Sequence, residues 1–123
     1  MRDRYWTTMG SSKAGELDIV IDKTWEDLHP KDCFDESCYD IEDICAKIDR
    51  YDLEWFILRV RVFYEDIELG REMVGGLLYE DASDVFSDGT ANDLIWAAME
   101  EAKRRARELK TKFMELEVDK IEF

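Results

Sequence analysis

Between Glu16 and Glu54 the chain carries fourteen Asp and Glu against four Lys and Arg, so −10 of its −14 formal charge falls within 39 residues. Carboxylates at that density have three chemical uses: acid–base pairs, cation ligands, or a contact surface for something positive. Acid–base chemistry has little beside it to work with. His29 is the one histidine, and the chain has no serine elbow, no metalloprotease helix motif and no phosphate-cradling glycine loop. With so many carboxylates, any pair named as acid and base is arbitrary. No catalytic residue, no cofactor and no enzymatic activity is therefore expected.

Cation binding fares no better. A calcium loop needs Asp or Asn at alternating positions followed by Gly, and Asp32 to Asp43 does not supply it. His29, Cys33, Cys38 and Cys45 are separated by three, four and six residues. Zinc sites usually contain a short cysteine pair among four such ligands. Cys45 falls on an apolar helical stripe, so it is expected in the core and no metal site is expected. Three cysteines, an odd number, behind an N-terminus with no apolar leader segment point to reduced thiols in a cytoplasm. No stretch is apolar enough to span a membrane.

A contact surface is the remaining use. Unmixed like charges repel and cost stability, so a one-signed stretch is either tolerated for solubility or used. Carboxylates three or four apart on a helix lie about 5–6 Å apart at Cβ, comparable with phosphates along a nucleic-acid strand. A groove lined with Lys and Arg would attract such a surface. Glu26, Asp27, Asp32, Asp35, Glu36, Asp40 and Asp43 are the candidate contact residues. Trp25, Phe34 and Tyr39 are interleaved with them as potential aromatic anchors. The same stretch also fits a solvated acidic face with no partner. A second class of surface is the sheet face carrying Trp55, Ile57 and Phe63, which would suit an adaptor or regulatory subunit. A small hydrolase or ligand-binding protein is the third alternative and requires a concave pocket.

The basic run Lys103, Arg104, Arg105, Arg107, Lys110 and Lys112 reads as the solvent face of a helix that pairs with the protein's own carboxylates. A sequence pI near 4.4 disfavours direct binding of nucleic acid or anionic membranes. Leu58 to Tyr64 has the aromatic alternation of an RNA-binding strand but lacks that motif's glycine–aromatic core. Arg59 and Arg61 are expected to meet acids on a neighbouring strand.

These residues must be positioned by a scaffold. One domain over 1–123 fits the length, and four Trp, five Tyr and six Phe supply a core. Residues 1–10 read as a short strand carried by Tyr5, Trp6, Thr7 and Thr8, with Ser11 to Gly15 as a turn. Leu17 to Asp22 alternates as a strand, and Thr24 to Pro30 reads as a capped helical turn stopped by His29-Pro30. Residues 31–38 read as a polar loop. Tyr39 to Arg50 is expected as a helix, with Ile41, Ile44, Cys45 and Ile48 on one stripe. Leu53 to Glu65 is the strongest strand, with Phe56, Leu58, Val60, Val62 and Tyr64 inward. It is followed by a strand over about 69–80 with a bulge or break at Gly75-Gly76. Ser87 to Phe113 is expected as the longest helix, capped at Thr90, with Ile95, Met99, Ala102, Ala106, Leu109 and Phe113 buried. Met114 to Phe123 is expected as a last strand, with Leu116 and Val118 inward. The order is an α+β, ferredoxin-like β-α-β-β-α-β: an antiparallel sheet with two main helices on one face, with room for an extra N-terminal strand.

In its acidity, compactness and stretches such as Trp25-Glu-Asp-Leu28 and Asp32-Cys-Phe-Asp-Glu36, the chain resembles the small anti-defence proteins of bacteriophages. These are the anti-CRISPR proteins and DNA mimics. That resemblance implies a stoichiometric inhibitor in the host bacterial cytoplasm, whose partner is a basic nucleic-acid-binding complex, either a CRISPR effector or a restriction enzyme. Exposed edge strands also leave room for a homodimer.

Overall fold

The computed structural model describes residues 5–122. Four antiparallel strands, β1 (Thr7–Ala14), β2 (Leu17–Trp25), β3 (Glu54–Tyr64) and β4 (Ile67–Tyr79), lie in the sheet order β1-β2-β3-β4. Helix α1 (Ile41–Asp49) intervenes between β2 and β3, and α2 (Thr90–Glu115) follows β4. The class is the expected one: α+β, with an antiparallel sheet and two main helices in one domain.

The ends of the chain take a different path from the expected one. The extra N-terminal strand is present and occupies one edge. Ser11 to Ala14, read as a turn, pair instead with Val20 to Leu17. The reversal falls on Gly15-Glu16, where Gly15 has φ 63°, a left-handed value that costs a glycine little. Residues 1–4 lie outside the described residues. At the other end, the strand expected over Met114–Phe123 does not form among the described residues, and Phe123 lies outside them. Helix hydrogen bonding continues through Glu115, with the Leu116 amide donating to the Lys112 carbonyl at 3.1 Å. Val118–Lys120 form one 3-10 turn. Leu116 and Val118 are only two apolar positions, too few to impose strand periodicity on a helix that already has its donors and acceptors paired.

β3 forms for the reason its alternation indicates. Phe56, Leu58, Val60 and Val62 are buried and join Ile19 and Ile21 of β2, Leu69 of β4 and Val85 in one core. Helix α2 covers that core, packing on β3 and β4 through Ala91, Ala98 and Ala102. Small residues on the helix and Gly70 on β4 allow close approach. A Cβ at Gly70 would collide with the Ala98 carbonyl oxygen and lie 3.1 Å from the Ala102 amide nitrogen. Gly70→Ala is therefore expected to lever α2 off the sheet and destabilise the fold by about 2 kcal/mol, within the usual range for overpacking. A thermal melt that stays at the wild-type midpoint would contradict this.

The buried line of α2 is rotated from the expected one. Ile95, Met99 and Leu109 pack at its margin, while Phe113 is 62% exposed because the helix runs past the sheet. Its start also differs. Gly89, with φ 95°, is the N-cap, and Thr90 is the first helical residue. The Asp88 side chain accepts from the Thr90 amide at 2.9 Å and from the Tyr79 hydroxyl. Those bonds hold the Asp88 carboxyl below the usual carboxylate range, the Tyr79 hydroxyl contributing most.

Thr24 and Trp25 extend β2 and do not begin a helical turn. Pro30 starts the 3-10 turn Pro30–Asp32, since a proline at a first helical position gives up an amide that has no partner there. Helix α1 has no buried residue and packs against this turn, so α2, and not a pair of helices, covers the core face.

Candidate functional site: an acidic lobe beside the sheet

The segment from Glu26 to Asp43 forms a lobe beside the ends of β2, β3 and β4, built from short backbone turns. Amides of Asp32, Cys33 and Phe34 donate back to the carbonyls of His29 and Pro30, and amides of Cys38 and Tyr39 donate to the Asp35 carbonyl. The lobe is fastened to the sheet through aromatic rings. Phe34 lies between Tyr39 and Trp55, with ring centroids at 5.0 and 5.7 Å. The Trp55 indole N–H donates to the Leu28 carbonyl at 2.8 Å. Pro30 is buried beneath. The aromatics interleaved with the acids are thus largely the lobe's attachment, although Tyr39 and Trp25 each remain about half exposed.

Fastened in this way, the backbone turns its acids outward. Asp27, Asp32, Asp35, Glu36, Asp40, Glu42 and Asp43 are all exposed, and Lys31 is the only Lys or Arg between residues 27 and 43. Glu36, Asp40 and Glu42 line one open hollow with His29, Lys31, Tyr39 and Ile41. Asp40 caps α1, its Oδ1 accepting from the Asp43 amide at 3.1 Å, which sets Asp40 and Asp43 one turn apart. Asp43 is also paired with Lys47 at 3.0 Å. The Ser37 amide and hydroxyl donate to Asp35 at 2.9 and 2.8 Å and hold its carboxyl below the usual carboxylate range. Among the described residues, Asp32, Asp35, Glu36, Asp40 and Glu42 have no ion-pair partner.

Glu26 differs from the other six candidates. Its Oε2 accepts from the Gly76 amide at 2.8 Å and its Oε1 from the Leu28 amide at 3.2 Å. Gly75 and Gly76 form the expected bulge, two residues opposite Ile57 in the β3–β4 register. A Cβ at Gly75 would strike the Glu26 carboxylate. Glu26 therefore pins the lobe to the bulge. Glu26→Ala is expected to lower the thermal midpoint by an amount equivalent to about 1–2 kcal/mol, the usual result of leaving a half-buried amide unpaired. It should leave the charged surface intact. Loss of partner binding without loss of stability would contradict this assignment.

Other acids of the 16–54 stretch also have internal work. Glu54 pairs with Lys23 and accepts from the Ala82 amide at 2.7 Å. Asp18 lies 3.5 Å from Lys13. Asp22 is 1% exposed on the sheet face opposite α2. Its Oδ2 accepts from Arg59 Nε at 3.1 Å, from a second Arg59 nitrogen, and from Arg61 Nη2 at 2.8 Å. Arg59 stacks 3.8 Å above the Trp6 ring centroid. The two arginines thus meet an acid of the neighbouring strand, as their positions predict. Sequence reasoning did not single out Asp22, although it lies opposite Arg59 in the antiparallel register. This cluster, with Trp55 and Ile57 under the lobe, means that the face proposed for an adaptor is largely covered. Phe63 is the half-exposed remainder.

Cys45 Sγ is 3.8 Å from His29 Nε2, while Cys33 neighbours Gly76 and Cys38 neighbours Ser37. Among the described residues, no three His, Cys, Asp or Glu side chains gather as a metal cluster. Among the described residues, no helix is long and apolar enough to cross a membrane. No protein-family model, curated protein or solved structure matches the chain.

Proposed function

We propose that this protein is a stoichiometric inhibitor of the anti-CRISPR or anti-restriction type, acting in a bacterial cytoplasm. Its acidic lobe occupies a basic nucleic-acid-binding groove of a host defence complex and excludes the nucleic acid. The observation that carries this reading is the ordered display of seven carboxylates over residues 27–43 on a backbone fastened by turns and stacked rings. Order matters because a preorganised surface binds without first losing conformational entropy. Among the described residues, no cation of α2 pairs with the lobe: Lys103 and Arg104 pair with Glu100 and Glu108 of the same helix.

The mechanism is electrostatic occupancy. Lys and Arg side chains that normally hold phosphates meet carboxylates at similar spacing, and counterions are released as they would be from nucleic acid. No bond is made or broken. The test is capture from nuclease-treated bacterial lysate with immobilised protein, at about 50 mM and about 500 mM salt, where screening lengths differ severalfold. The expected eluate is a basic nucleic-acid-binding complex retained at low salt and released at high salt. Retention of the same proteins at both salts would contradict the mechanism.

A further inference from the structure

Beyond Leu109, the apolar side of α2 has no partner among the described residues. The line that buries Ala98 and Ala102 continues through Ala106, Leu109, Phe113 and Leu116, yet every described residue after Leu109 is exposed. Phe113 is 62%, Met114 78% and Val118 63% exposed. Leu109 is the last residue of α2 against the core, and at 1.5 Å per residue the six residues from Lys110 to Glu115 carry the helix about 9 Å past it. Single exposed apolar residues are ordinary, but a helical stripe of them followed by the exposed Leu116, Val118 and Ile121 marks a contact surface.

Charge indicates what would cover it. Residues 103–115 hold six Lys and Arg and two Glu, a local +4 in a chain of −14. Lys103 and Arg104 pair within the helix, leaving Arg105, Arg107, Lys110 and Lys112 without ion-pair partners among the described residues. Two such helices side by side would set like charges against each other. The surface of opposite sign on this same molecule is the lobe of residues 27–43, net −6, which also exposes Leu28 and Tyr39. We infer that the cationic C-terminal half of α2, with its exposed end beyond Leu109, docks on the acidic lobe of a second copy of this chain. Because each copy carries both halves, the contact is made twice and closes as a two-fold pair. The lobe is then covered in the pair and exposed in the monomer, so self-association competes with the partner binding proposed above. This last consequence rests on that proposal; the pairing itself does not.

The test is sedimentation velocity of the full chain between about 1 and 200 μM at about 50 mM salt. A dimer is expected, with its dissociation constant rising at least tenfold at about 500 mM salt. Arg105→Glu/Arg107→Glu/Lys110→Glu and Asp32→Lys/Glu36→Lys/Asp40→Lys should each be monomeric alone. An equimolar mixture of the two should recover a dimer, because the reversed tail now matches the reversed lobe. Phe113→Ser should weaken the dimer at unchanged thermal midpoint. A wild-type chain monomeric at 200 μM, open-ended polymers, or a mixture that stays monomeric would each overturn the pairing. Those results would leave partner capture by the lobe unaffected. Conversely, a rescued dimer that captures no basic complex would uphold the pairing and defeat the proposed function.

Discussion

Replacing Asp32, Glu36 and Asp40 together with lysine should lower affinity for a basic nucleic-acid-binding partner by about 100-fold near 0.1 M salt. Three contacts change sign, and like charges at an interface cost several kcal/mol. The salt dependence should flatten in parallel, since fewer counterions are released on binding. The fold should survive, because these three side chains are exposed and, among the described residues, only Asp40 has a structural bond, its cap on α1. Losing that cap costs about 1 kcal/mol. A matched control is Asp40→Ser, which keeps a capping oxygen and removes the charge. Isothermal calorimetry at two salt concentrations separates the two contributions. Equal affinity of the lysine variant and wild type would show that charge on the lobe does not drive binding.

Asp22→Ala should be the most damaging single substitution to stability. It leaves Arg59, itself nearly buried, without its anion and removes one partner of Arg61. Breaking a buried pair by deleting one member typically costs about 3–5 kcal/mol. Against a total stability of about 5–15 kcal/mol for a domain, that is a large fraction. Differential scanning calorimetry should show the midpoint falling by about 10–20 °C, given the usual conversion for domains of this size. Replacing Asp22, Arg59 and Arg61 together by leucine, valine and leucine should recover much of the loss, because apolar residues pack that volume without a desolvation cost. A single variant as stable as wild type would mean that the cluster is solvated in solution.

Much of this architecture can be read from residue order alone, and the failures have physical causes. Strand β3 is legible because Leu58 to Val62 alternates apolar residues with arginines inside a run of β-branched and aromatic residues. In β4, Gly75-Gly76 marks the bulge, because glycines inside a strand often sit at a bulge or break. The N-terminal edge was misplaced by four residues, since Ser-Ser-Lys-Ala has turn composition but an edge strand asks little of its outward side chains. The expected final strand failed because helix α2 outran its own core. Propensity and internal pairing kept it helical with nothing packed beneath. In the acidic stretch, the exposed members of residues 27–43 could be named from charge density. The inward turn of Glu26 toward the Gly76 amide could not, because it depends on two strands separated by fifty positions. Asp22 was hidden for a related reason: a buried acid looks like any other acid until its strand register is known.

The most direct measurement is a displacement titration on the complex captured from lysate, loaded with a fluorescent nucleic acid and followed by anisotropy. Wild-type protein should release the nucleic acid at one equivalent per groove, with potency that falls steeply as salt rises, while the Asp32/Glu36/Asp40 lysine variant releases none over the same range. If wild type binds the complex with its nucleic acid still in place, or the lysine variant displaces as well as wild type, the acidic lobe is not a substitute for phosphates.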